Sequence, residues 1–268
     1  MKQASCRSNL KRLSINSLVV YLFISLLTSG LLVRCTSTDP VDEPPEESNE
    51  DEELKPNDFL SEDRYDQLVV QIAYVEGYKP GSNSTYQLAS FLQQRLNKSG
   101  GITISSKPIQ SPGQSNYSIS DLRALEDSLR TQEVTDKTLT AWIVIVDGDY
   151  SENEGDAKTL GVAYGPSSMA LFGKTIRDFS GGLGQPSNHL LETTVLKHEF
   201  CHVLGLVDNG TAMVNNHLDN QHGKHCNNQD CLMYYAVETS HFVTDFFTGS
   251  VPSLKEQCLN DLKNNGGK

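Results

Sequence analysis

Positive charge is scarce in this chain. Its 268 residues carry 22 Lys and Arg against 34 Asp and Glu, a formal net charge of −12. Nowhere do the bases gather with aromatic residues into a patch, so nucleic acid is not an expected partner. Cysteine is sparse as well, six in all, and a chain of this length buries a core without a disulfide scaffold. No internal repeat is visible, and one domain with a tail is the default. Long apolar runs are nearly absent: there is one, LVVYLFISLLTSGLLV over residues 18–33.

That run is slightly short for a membrane span and suits the apolar centre of an export signal. Lys2, Arg7, Lys11 and Arg12 precede it and Cys35 follows almost at once. The arrangement resembles a bacterial lipoprotein signal, which implies lipidation at Cys35, a membrane anchor there, and an outer-membrane or cell-surface location. Arg34 departs from that pattern, which has a small residue before the cysteine. An uncleaved signal anchor is the other reading, and both place the rest of the chain outside the cytoplasm. Residues 36–57 hold nine acids and four prolines with almost no apolar residue. They bury too little surface to offset ordering entropy, so they read as a disordered acidic tether. The expected organisation is a signal over 1–35, the tether over 36–57, and one domain over 58–268.

Within that domain, QLVVQIAYV (Gln67–Val75) and TAWIVIVDG (140–148) are nearly continuous β-branched runs, as expected of strands covered on both faces. Residues 102–109 form a shorter strand candidate. Apolar residues recur at helical spacing over 85–97 and over 118–132, the second opening with a cap-like Ser118 and Asp121 pair. Alternating strands and helices predict an α/β layer with a mixed, mostly parallel sheet. Further on, GVAYG (161–165) and SMALFGKTI (168–176) read as strands joined by a turn, and residues 250–264 as a C-terminal helix.

The chemistry is concentrated in LLETTVLKHEFCHVLGL, expected to be one helix ending at Gly205. Residues four apart share a helix face, so His198 and His202 can present two imidazoles to one metal ion. Glu199 is offset by one position, within reach of a water on that metal. This is the H-E-x-x-H pattern of zinc peptidases, in which zinc acidifies a water and the glutamate takes its proton. By composition the pattern arises by chance in roughly one chain of this size in a hundred, so its context matters.

Gly205 follows His202 by three residues, and HCNNQDCLMYY (225–235) stands downstream. Here the sequence resembles the metzincin clan, whose helix motif H-E-x-x-H-x-x-G-x-x-H precedes a methionine-containing turn. The resemblance implies a zinc-dependent metallopeptidase with a zincin fold, Glu199 as general base, Met233 as the residue of the turn, and a peptide or protein substrate. It also implies that Tyr235, two residues after that methionine, stabilises the tetrahedral intermediate, and that 161–172 supplies an edge strand for the substrate. The segment after the turn, residues 236–247, would shape the substrate pocket. The pattern is most similar to archaemetzincins, in which the third histidine runs directly into C-x4-C-x-M. His225, Cys226, Cys231, Leu232 and Met233 match that tail, but nineteen residues separate Gly205 from His225 where the family has two.

Two models for the third zinc ligand follow. Asp208 occupies the spacing after Gly205, as in snapalysin-like relatives. His225 carries the matching tail, which fixes several residues at once and makes it the preferred ligand. His189, His217, His222 and His241 read as solvated or hydrogen-bonded, with metal binding in the inserted loop the lesser alternative for His217 and His222, and Cys201 reads as a buried small apolar residue. In archaemetzincins the paired cysteines bind a second, structural zinc with a later C-x-x-C, of which only Cys258 is present here. For an exported chain a disulfide is then the simpler expectation, Cys226 with Cys231 or either with Cys258. Three cysteines and a histidine on zinc is the other. A monomer is expected. A non-catalytic surface binding lipoprotein and a zinc amidase acting on cell-wall peptides stand as the competing functions.

Overall fold

The computed structural model describes residues 53–243 and 249–268. The signal-like segment and most of the tether lie outside the described residues. Residues 51–268 form one compact unit. Among the described residues no helix is long and apolar enough to cross a membrane.

The core is a five-stranded sheet in the order β2-β1-β4-β7-β6. β1 (Gln67–Val75) lies between β2 (Gly101–Ile109) and β4 (Thr138–Val146), parallel to both, and β7 (Ser168–Phe172) runs parallel to β4. The short β6 (Gly161–Ala163) pairs antiparallel with β7 and forms one edge. The sheet is therefore mixed and mostly parallel. The apolar runs behave as strands buried on both faces. Leu139, Ala141, Ile143 and Ile145 of β4 enter the larger core cluster, while Trp142, Val144 and Val146 enter a second one. That alternation is the pleat's period of two.

Between the strands, α1 (Pro56–Leu60) and α2 (Ser82–Gln93) precede the two-residue β3 (Asn116–Tyr117) and α3 (Ile119–Leu129). The expected cap of α3 forms as a reciprocal box. The Ser118 side chain accepts from the Asp121 backbone at 3.2 Å, and the Asp121 carboxylate accepts from the Ser118 backbone at 2.8 Å. Such a pair stabilises a helix by about 1 kcal/mol. α3 stops short of residue 132 because Arg130 turns to extended geometry, where its guanidinium holds Glu126, Thr140 and Ser167.

Two elements differ from expectation. SMALFGKTI is half strand and half helix: β7 ends at Phe172 and α4 (Gly173–Asp178) follows the two-residue β5 (Asp149–Tyr150) in chain order. A Cβ at Gly173 would stand 2.9 Å from Ile145 and Tyr78 side chains, so the chain bends there close against the sheet. Thr175 then donates to Asp149 at 2.8 Å and Lys174 pairs with Asp178 one turn on. The C-terminal helix α6 spans only Glu256–Asn264, since Leu232 donates to the Ser253 carbonyl and keeps the preceding segment extended.

α5 (Asn188–Val203) carries the motif. Twelve of its sixteen residues are buried, as for a helix covered on nearly every side. It packs against α2, β6 and β7, and Ser187 caps its start by accepting from Leu190. Its end comes at Val203, ahead of Gly205, which adopts φ 74° and donates to the His202 carbonyl. A side chain at Gly205 would collide with Pro56 of α1 at 2.5 Å.

Candidate metal centre

His198 and His202 project from one face of α5, with their Nε2 atoms 3.1 Å apart. His198 Nδ1 donates to the Leu232 carbonyl at 2.7 Å. That bond fixes its tautomer and leaves the Nε2 lone pair facing the centre. His225 joins them, its ring centroid 5.4 Å from His198 and 5.0 Å from His202. Its Nδ1 donates to the His222 carbonyl at 3.2 Å, and its Nε2 is buried without a hydrogen-bond partner.

A fourth group enters that the sequence reading missed. The 3-10 turn Tyr235–Glu238 places Glu238 Oε2 3.5 Å from His225 Nε2 and 3.8 Å from both His198 and His202 Nε2. One donor atom from each of His198, His202, His225 and Glu238 lies within 4.8 Å of the others, a group able to hold a metal ion. Burial opposes ionisation of Glu238, but the His198 and His225 imidazoles beside it outweigh it and hold its carboxyl well below the usual range. Burial and the neighbouring His198 hold His202 well below its ordinary value. His225 is likewise desolvated, yet the Glu238 carboxylate beside it raises its value. Imidazole lone pairs converging on one shared, buried point suit a cation.

Glu199 lies beside this group, fully buried, with neither carboxylate oxygen paired. Burial, and then the negative charge of Glu238, push its carboxyl well above the ordinary value. Its space exists because β6 begins with glycine. A Cβ at Gly161 would stand 2.8 Å from Glu199 Cγ and 2.6 Å from Val195 Cγ1. Two nearby carboxyls pushed in opposite directions, one toward the proton and one toward charge, form the pattern expected of a proton carrier beside a ligand.

The remaining candidates are placed as follows. Asp208 is exposed at φ 57° and takes no part in the group. After Gly205 the chain folds back to cap the helix end. Asn209 and Thr211 backbones donate to the Gly205 carbonyl, and Asn209 and Thr211 side chains to those of His202 and Leu204. Asp208 is thereby left at the tip. The inserted residues bulge out and return through the Leu218–Cys226 bridge, delivering His225. Met233 is fully buried next to Leu232, and its carbonyl accepts from Cys226 at 2.7 Å. Tyr235 stacks on the His222 ring at 3.5 Å, so Glu238 rather than Tyr235 is the side chain of this turn that enters the cluster. A narrow cleft lined by Ala163, Tyr164, Gly165, Pro166, His202 and Lys224 runs between the β6 edge and the centre. His189 is hydrogen-bonded by Asn83 and Ser84, and Cys201 is buried, with its thiol pushed well up by that burial.

The disulfide expectation is overturned. Cys226, Cys231 and Cys258 are all free and buried, and Cys231 and Cys258 Sγ stand 3.6 Å apart without a bond. His217, expected to be solvated or hydrogen-bonded, is fully buried among them. Its Nδ1 lies 3.3 Å from Cys226 Sγ and 3.9 Å from Cys258 Sγ. Its Nε2 donates to Asp261 at 2.7 Å, and Asp261 is itself held by the Val214 backbone at 2.7 Å. The carboxylate thus sets the tautomer and turns the Nδ1 lone pair toward the thiols. Hydrogen bonds from Cys226 and Cys258 hold the Cys231 thiol down to about 3. His217, Cys226 and Cys258 make a second group able to hold a metal ion.

No family model matches the chain, and no curated protein does. Solved structures are similar to it, among them the following three. An archaemetzincin from Methanopyrus kandleri is 15% identical, with a TM-score of 0.47 over 75% of this chain and 96% of that one. Metalloproteinase-II from Bacteroides fragilis is 15% identical, with a TM-score of 0.41 over 75% of this chain and 54% of its own length. A zinc-dependent peptidase from Methanocorpusculum labreanum is 13% identical, with a TM-score of 0.42 over 72% and 99%. These are likenesses of chain path. What the site can do follows from its side chains.

Proposed function

We propose that the chain is a zinc-dependent metallopeptidase acting on extended peptide or protein segments. One observation carries this reading: three imidazoles converge on a point beside a fully buried carboxyl, Glu199, whose oxygens have no partner. His198, His202 and His225 would hold zinc, with His225 rather than Asp208 as third ligand. Bound there, the ion supplies Lewis acidity toward a peptide carbonyl and toward water. Glu199 is the general base: a cation held by the three imidazoles would offset the burial that raises its value, and its carboxylate would then take a proton from the attacking water and pass it to the leaving amine nitrogen. His198 is oriented for ligation by the Leu232 carbonyl, and Met233 supports that turn from the core. Ala163, at the end of β6, lines the cleft, and the edge of β6 away from β7 is suited to pairing with an added strand. Tyr235 remains a candidate for steadying the developing oxyanion if it leaves His222 when substrate binds.

His217, Cys226 and Cys258 fit a separate structural zinc, with Cys231 Sγ 3.6 Å from Cys258 Sγ beside them. Neighbouring donors on tetrahedral zinc with Zn–S bonds of about 2.3 Å stand roughly 3.5–3.8 Å apart, and the separations here run from 3.3 to 3.9 Å. We also propose export and lipidation at Cys35 on the sequence pattern alone. Loss of fatty-acid labelling in Cys35→Ser checks it, and unchanged labelling contradicts it.

The test of the activity is incubation of the zinc-loaded full chain with casein, with and without a chelator, beside Glu199→Gln. Cleavage by the wild type that both chelation and the substitution abolish is expected. A chain that leaves casein intact, or cleaves it equally well without metal, contradicts the reading.

A further inference from the structure

Glu238 has a second property beyond closeness to the histidines. Its backbone is clamped and its side chain is not. The Leu160 backbone donates to the Glu238 carbonyl at 2.7 Å. Thr159 bridges Thr239, and the Lys158 backbone donates to Ser240 Oγ at 2.9 Å. The turn is therefore sewn to the strand leading into β6. Yet the Glu238 side chain is 29% exposed, against 0% for His198 and 8% for His202 and His225. Three rotatable bonds separate its carboxylate from that fixed backbone, so the group can leave the cluster by a change of rotamer alone.

We propose that Glu238 is a removable fourth ligand, which closes the three-histidine centre at rest and swings out when substrate arrives. This rests on the metal reading above. Donors on one tetrahedral ion with bonds of about 2.0–2.1 Å stand roughly 3.3–3.4 Å apart. The Oε2 separations of 3.5–3.8 Å from three Nε2 atoms place it at the fourth corner to within a few tenths of an ångström. A site with four protein ligands is closed, and a hydrolytic one needs an open position. The exposed, rotatable side chain reconciles the two. Ligand exchange is the only event: the carboxylate leaves, a neutral or anionic oxygen donor enters, and no bond within the protein breaks.

The consequence is a competition that any small oxygen ligand must win. If the carboxylate fills the fourth position about nine-tenths of the time, such a ligand binds roughly tenfold more weakly than to an open centre. The experiment loads the full chain with Co2+ and titrates acetohydroxamate, following the visible bands that respond to it, in wild type, Glu238→Ala and Glu238→Gln. Glutamine keeps the size of the side chain and serves as the folding control. The midpoint is expected to fall roughly tenfold in both variants. Equal midpoints in all three chains overturn the proposal while leaving the metal centre intact. A wild-type chain without hydroxamate-sensitive bands overturns the metal reading and this proposal with it.

Discussion

The two candidate metal groups share one stretch of chain and differ in almost every physical respect. His225 belongs to one and Cys226 to the other, and Cys231 stands two residues before Met233. The first group is built of imidazoles with one part-exposed carboxylate, beside a cleft and a buried, unpaired Glu199. The second is built of two thiols and an imidazole, all buried, with a third thiol, Cys231, 3.6 Å from Cys258, and its histidine is backed by Asp261. Soft thiolates in a sealed pocket hold an ion and offer no place for a substrate, whereas imidazoles facing a cleft hold it and leave a position to exchange. On the proposed reading the difference is a division of labour: one group for chemistry, the other for joining the returning insertion, the turn and α6 into one piece.

The largest effect that sharpens this contrast is at the base. Glu199→Gln is expected to lower kcat roughly a hundred- to ten-thousandfold with zinc content unchanged. Near-wild-type turnover in a steady-state assay would remove Glu199 from the chemistry. Next comes the thiol group. Cys258→Ser should cost about 3 kcal/mol of stability through the lost ion, the contribution of a ligand present at roughly a hundred times its Kd, a fall in Tm of roughly 6–12 °C for a domain of this size. A thermal melt that does not move would make this cluster a bystander. Gly161→Ala is smaller again. The added methyl pushes on Glu199 and Val195, and kcat should fall roughly tenfold to a hundredfold through misplacement of the base, with a fall in Tm of roughly 2–12 °C from the overpacking. Asp261→Asn is the most local change. It should weaken zinc retention at the thiol group roughly tenfold to a hundredfold, measured by chelator competition, while peptide cleavage persists. Loss of cleavage with retained zinc would reverse the two roles.

Much of this architecture is visible in the sequence because it rests on local periodicity. Continuous apolar runs made β1 and β4 legible as doubly covered strands, and the spacing of His198, Glu199 and His202 made them one helical face. SMALFGKTI defeated the same rule, since Ile176 is as buried in α4 as it would be in a strand. His225 was legible only through its coupling to Cys226, Cys231 and Met233. Asp208 had the better spacing from Gly205, but tertiary hydrogen bonds to the end of α5 turned it to solvent. Glu238 had no short-range signal at all. A 3-10 turn delivers it, and its partners stand 13 to 40 residues back along the chain. His217 was legible only as a lesser metal-binding candidate for a related reason, with Asp261 44 residues away and Cys258 41. One clue was available. The C-x-x-C that would complete four cysteines has Lys255 at its first position, which left a ligand to be found elsewhere.

Zinc content followed through stepwise chelation tests the central claim most directly. The full chain, loaded with zinc and titrated with a chelator of graded strength, is assayed at each step for zinc per chain, casein cleavage and Tm. Two ions per chain are expected, one for each group. The first should leave with the activity and little change in Tm, the second with the fold. A single ion, or two that leave together with activity and stability, would contradict the division between an open centre for chemistry and a closed one for structure.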